Sequence, residues 1–137
     1  MNPRLPDIVL QVRGTRCRCK CFPYVFKSRW ELKWAHFLEY QKQKGLIRGW
    51  DYEPKPVFEF PVKRGCIDYL PDFVLYFSDK VWQYHEVKGF MDQRSRTKLK
   101  RMAKYHPKVY IRVVKRKDIQ HIGKTLGLQI PGWENCP

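Results

Sequence analysis

The chain has 137 residues, 43% of them apolar, with 28 Lys and Arg set against 13 Asp and Glu for a formal net charge of +15. That length suits one ordinary domain with a single core, and no stretch approaches the roughly 18 apolar residues of a membrane span. A surplus this large points to a polyanionic partner over a merely solvated basic surface; nucleic acid comes first, and an anionic membrane second, since no basic helix with a broad apolar face stands out.

The first residues, "MNPRLPDIVLQVRG", lack the charged-then-apolar layout of a secretion signal, so the expected location is the cytoplasm. Residues 1–14 read as a Pro-containing lead-in with one short strand candidate, "IVLQV", and "FPYVFK" at 22–27 as another short apolar run. The first firm element is "SRWELKWAHFLEYQKQKG". Ser28 is placed to cap it, Glu31 follows three residues later, Leu32, Ala35, Phe37 and Leu38 give an apolar stripe, and Gly45 ends it. "VFEFPV", the turn "KRG" and "CIDYLPDFVLYF" read as two antiparallel strands, with Pro71 marking a bend, bulge or edge. "SDK" is a second turn and "VWQYHEVKGF" a third strand, closed by Gly89. "DQRSRTKLKRMAKYHP" reads as a basic helix with a narrow seam of Leu99, Met102 and Ala103, stopped at His106-Pro107. "KVYIRVV" is a fourth strand, and "KDIQHIGKTLG" a last helix with Asp118 as N-cap candidate and Gly127 as terminator. The expected class is α/β (α+β), a mixed central sheet with helices packed on it. The expected division is a basic lead-in over 1–27, a main domain over 28–127 and a tail over 128–137.

Five cysteines, Cys17, Cys19, Cys21, Cys66 and Cys136, make an odd set with no secretion signal, which argues against a disulfide framework. "CRCKC" lacks the C-x-x-C knuckle that zinc favours, so its thiols are expected to be reduced, in a basic strand or loop. His36, His106 and His121 form no ligand pattern, and strand parity sends His85 to a structural role.

The chemistry concentrates in "YLPDFVLYFSDKVWQYHEVKG". Strand side chains alternate, so Trp82, Tyr84, Glu86 and Lys88 share one face, and a turn at Ser78–Lys80 brings Asp72 opposite Glu86. An ion pair with Lys88 would explain these charges without function. Two acids on adjacent strands nevertheless repel unless a cation sits between them. A divalent ion with oxygen ligands suits that position, since Mg²⁺ uses one or two carboxylates plus phosphate oxygens. Such an ion activates water and holds a phosphodiester for in-line attack, with the lysine offsetting charge on the transition state. Asp68 reads as an exposed strand position.

Pro71-Asp72 followed by Glu86-x-Lys88 resembles the signature of the PD-(D/E)xK nuclease superfamily, and the order of helix, three strands, helix and strand resembles its αβββαβ core. Over residues 24–117 the chain resembles small phage-encoded members, among them the junction-resolving endonuclease I of T-odd phages. The resemblance implies a Mg²⁺-dependent DNA endonuclease, with Mn²⁺ able to substitute, acting in phage DNA metabolism in the host cytoplasm. It implies that Asp72 and Glu86 bind metal, that Glu31 completes the metal site, and that Lys88 assists the nucleophile. Glu31 has a competing role, because Ser28 and Glu31 also spell a capping box. The resemblance further places the helix after Lys88 beside the scissile phosphate, where Arg94, Arg96, Lys98, Lys100 and Arg101 are candidate phosphate contacts. The small size leaves little room for a sequence-reading module, so a structure-selective nuclease acting on junctions, branches or flaps is expected, and the resemblance implies four-way junctions in particular. A homodimer, with residues 1–27 exchanging a strand, would supply two cuts. The competing readings are a repair-type nickase or exonuclease of the same fold and a non-catalytic nucleic-acid-binding or nuclease-inhibiting protein.

Overall fold

The computed structural model describes residues 17–134. The expected strand "IVLQV" lies outside them. β1 (Cys17–Arg18) and β2 (Val25–Phe26) form a small hairpin, followed by α1 (Arg29–Gln43) and β3 (Gly49–Tyr52). β4 (Phe58–Glu59) and β5 (Asp68–Tyr69) form a two-stranded ribbon before β6 (Phe73–Tyr76) and β7 (Trp82–Lys88). α2 (Gln93–Tyr105), β8 (Ile111–Lys115) and α3 (Arg116–Leu126) complete the fold.

The main sheet has the order β3-β6-β7-β8. β3, β6 and β7 are antiparallel, and β8 joins β7 in parallel after the α2 crossover. The protein is therefore an α+β fold with a mixed sheet and helices packed on it, as the element pattern predicts. One strand differs from expectation. The first strand of the meander is Gly49–Tyr52, not "VFEFPV", which pairs only with Asp68–Tyr69 in the ribbon. Pro61 and Pro71 lack the amide needed to extend that pairing into a long ladder, so the chain bends at Pro71 and starts a separate strand at Phe73.

Helix α1 forms where its caps indicate. Ser28 is the N-cap, and its hydroxyl accepts from the Glu31 amide at 3.2 Å. The last helix begins earlier than expected, at Arg116, with Lys115 as N-cap. Asp118 is not the cap; its carboxylate reaches back to the Lys115 amide at 2.8 Å. β8 thus runs into α3 with no loop in which Asp118 could take the cap position.

Two apolar clusters flank the sheet. On one side Leu32, Trp34, Ala35, Phe37 and Leu38 of α1 pack with Phe73, Leu75, Val87, Val114 and Ile119. Cys19, Tyr24, Phe26, Ile130 and Trp133 join the same cluster, so the core draws on residues beyond both expected boundaries. On the other side Met102 of α2 packs with Phe60 and Tyr69, and Leu99 is only half-buried while Ala103 is exposed. Trp34 is fully buried, and its Nε1–H donates to His85 Nδ1 at 3.0 Å, which gives His85 its structural role. Trp34→Ala should cost about 3–5 kcal/mol in urea unfolding, through a large cavity and a lost donor.

Candidate active site

The acids meet at one end of the main sheet. Ser78 Oγ accepts from the amides of Lys80 and Val81 and fixes the tight turn. Phe73 then pairs with His85. One residue further on in that register, Asp72 stands opposite Glu86, as the turn predicts. Asp72 Oδ2 accepts from the Val87 amide at 2.8 Å. Glu31 enters from the first turn of α1. Its carboxylate does not complete the capping box; instead Oε1 accepts from the Lys27 amide at 2.9 Å and from the Tyr52 hydroxyl at 2.6 Å. Glu86 Oε1 accepts from the Tyr69 hydroxyl at 2.7 Å.

A pattern follows from these bonds. Each carboxylate has one oxygen fixed by neutral donors and the other turned toward an ammonium. Asp72 Oδ1 lies 3.1 Å from Lys27 Nζ, Glu31 Oε2 lies 3.7 Å from the same nitrogen, and Glu86 Oε2 lies 3.6 Å from Lys88 Nζ. Glu53 Oε2 adds a further contact to Lys27 Nζ at 3.5 Å. The structure thus brings Glu31, Asp72, Glu86 and Lys88 together, and it adds Lys27, Tyr52, Glu53 and Tyr69, which sequence reasoning missed. The available signal for Lys27 was its place four residues before Glu31 and one before the cap.

All three acids are buried, at 4% exposure for Glu31, 2% for Asp72 and 7% for Glu86. Burial, and then the charge of Asp72, pushes both Glu31 and Glu86 up to about 7. Burial opposes the charge on Lys27, but Asp72 and Glu31 outweigh it and hold its ammonium well above the usual lysine range. Burial, followed by the neighbouring Glu31 or Glu86, keeps the Tyr52 and Tyr69 hydroxyls protonated as donors. Such a set of paired, strongly shifted groups is characteristic of functional sites.

The remaining candidates separate. Arg94, Arg96 and Lys100 are exposed on α2, and Lys98 is half-buried. Arg101 is tied down, donating to the backbone carbonyls of Arg64 at 3.1 Å and of Cys66. Asp68 is exposed. Glu39 accepts from Trp50 Nε1 at 3.0 Å, away from the acids. His106 bonds the Glu59 carbonyl at 2.8 Å, and His121 is exposed.

Two expectations about the N-terminal segment need correction. Cys19 is disulfide-bonded and not a reduced thiol. His36 does belong to a ligand pattern, since ligand atoms of Cys19, Cys21 and His36 all lie within 4.8 Å of one another. The sequence separation of α1 from the cysteine run concealed this. Among the described residues the carboxylates are not gathered to that spacing; the Lys27 ammonium stands among them. No helix of the described residues is long and apolar enough to cross a membrane. No family model, curated protein or solved structure matches the chain.

Proposed function

We propose that the protein is a metal-dependent DNA endonuclease of the PD-(D/E)xK type that cuts branched DNA, such as four-way junctions. The observation that carries the reading is the arrangement of Asp72, Glu31 and Glu86, each with one oxygen fixed by hydrogen bonds and the other facing a cation. Carboxylate oxygens held this way suit a hard divalent ion, and the Lys27 ammonium is the positive charge that faces two of them here.

Asp72 and Glu86, with Glu31, would hold Mg²⁺ or Mn²⁺. When bound, the ion lowers the pKa of a coordinated water and neutralises charge on the phosphodiester. The chain's own groups do the rest. Tyr52, Tyr69 and the Val87 amide orient the carboxylates, so no reorganisation is needed at the moment of reaction. Lys88, 3.6 Å from Glu86 at the sheet end, would present its side-chain nitrogen to the attacking oxygen or to a non-bridging phosphate oxygen. Arg94, Arg96, Lys98 and Lys100 on α2 supply phosphate contacts that carry no sequence information, in keeping with the +15 charge. Arg101 contributes by holding the ribbon beside that helix.

The direct test offers purified protein and Mg²⁺ a four-way junction, a flap, single-stranded DNA and linear duplex side by side. Preferential cutting of the junction is expected. Nicking of one strand of the linear duplex, or digestion from its ends, would make the protein a repair-type nickase or exonuclease, and binding without cutting in Mg²⁺ and Mn²⁺ would make it a non-cleaving DNA-binding or nuclease-inhibiting protein. Glu31→Gln gives a sharper result, since the amide oxygen can still accept from Lys27 and Tyr52 while the charge is gone. The variant should fold normally and lose at least about 10²-fold in cleavage; retained cleavage removes Glu31 from the metal site.

A further inference from the structure

The cysteine run is unused by the reading above. Cys19 is 1% exposed and lies against α1, with its Sγ 3.6 Å from His36 Nε2. A tetrahedral zinc about 2.3 Å from a thiolate and about 2.0–2.1 Å from an imidazole nitrogen sets those two ligand atoms about 3.5 Å apart. Cys21 sits inside a tight turn closed by the Phe22 amide on the Cys19 carbonyl at 3.3 Å. That turn points the Cys21 amide at Cys19 Sγ, 3.4 Å away. An amide aimed at sulfur is the supporting bond that stabilises a metal thiolate.

The imidazole is held in place as well. Its ring lies 4.8 Å from the Phe22 ring. Gly132, at φ +83, lets the backbone approach so closely that a Cβ there would fall 2.4 Å from His36 Cε1.

We infer that Cys19, Cys21 and His36, once Cys19 is reduced, form a structural zinc site that fastens the β1–β2 hairpin to α1. The site has consequences for the acids, because the same hairpin leads directly to Lys27 and the Ser28 cap. The Cys19 disulfide excludes the metal. A dithiol reductant converts it to two thiols by giving up two electrons and two protons, closing into its own disulfide. Zinc then displaces the thiol protons. Oxidation to the disulfide reverses this and releases the ion.

The experiment titrates reduced full-length protein with Co²⁺ under anaerobic conditions in excess Mg²⁺. One equivalent should develop thiolate-to-cobalt charge-transfer absorption, which carboxylate ligands do not give, and Zn²⁺ should displace it. Cys21→Ser changes an exposed side chain and leaves the core intact; with His36→Gln, it should weaken Co²⁺ binding at least tenfold. Protein oxidised beforehand should show no such band. The inference is overturned if folded, reduced protein lacks the band, or if both variants retain it at full intensity and affinity. Both outcomes are read from cobalt absorption, so they are distinguishable from the result for the acidic site, which the DNA assay measures separately.

Discussion

Alanine at Glu86 or Lys88 is expected to abolish DNA cleavage, by at least about 10²–10³-fold, while binding to the same junction survives in Ca²⁺. Both side chains belong to β7 and face the same way, with the ammonium 3.6 Å from the carboxylate. If this were only an ion pair, its loss would appear as lost stability. The energetics point elsewhere. Lys88 is partly exposed, and an ion pair with one solvated partner contributes little to folding. Glu86 is buried and pushed up to about 7 by that burial and by Asp72, so removing it relieves a desolvated carboxyl at the cost of the Tyr69 hydroxyl's acceptor. Both variants should therefore unfold within about 1–2 kcal/mol of the parent, and activity and stability should separate. Full cleavage by either variant would rule out the assignment.

The second large effect is in the pH dependence of stability. Glu31 and Glu86 are raised from 4.5 to about 7 by burial first and by Asp72 second. The folded state thus binds more protons than the unfolded state between those values, and the acids' contribution to metal-free stability falls as pH rises through that window. Two histidines act in the opposite sense. Burial and Arg112 lower His85 to about 4, and burial and Lys33 lower His36, so their contribution grows as pH rises toward 6.5. Lys27, held up by Asp72 and Glu31, keeps its contribution until the pH passes the ordinary lysine value of 10.5. From pH 4.5 to 7 the wild type should therefore lose stability relative to the double variant Glu31→Gln/Glu86→Gln, which keeps only the gain from the histidines. At pH 8 the variant should lead on the order of a few kcal/mol. Mg²⁺ should close much of that gap by stabilising the wild type alone. Parallel curves for the two proteins, with or without Mg²⁺, would show that the acids are not shifted and do not share a cation.

The parts of this fold that were legible in the sequence are those set by local signals. Ser28 announced α1, the Ser78–Lys80 turn fixed the register of β6 on β7, and period-two alternation placed Glu86 and Lys88 on one face. From these the meeting of Asp72 and Glu86 could be worked out with no tertiary information. What escaped depends on contacts between distant segments. Gly49–Tyr52 is four residues with no strong strand pattern, and it becomes a strand because β6 offers it an edge. Lys27, Tyr52 and Tyr69 look unremarkable in sequence and acquire roles only when the hairpin, β3 and the ribbon converge on the acids. The fate of Glu31 was undecided for the same reason. Its spacing from Ser28 suits a cap, and only the arrival of Tyr52 shows which way the carboxylate turns.

The dispersal of the acids along the chain has a consequence for biogenesis. Lys27 and Asp72 are 45 positions apart, Tyr52 and Glu31 are 21 apart, and Glu86 follows on yet another strand. Such long loops close late and at an entropic cost that only the completed core offsets. An unfolded full-length chain carries the same basic charge as the folded one but holds each acid singly. Under the proposed function, adhesion to DNA precedes the power to cut it. On that reading a misfolded copy would bind DNA without cutting it, so the fold itself would license the activity.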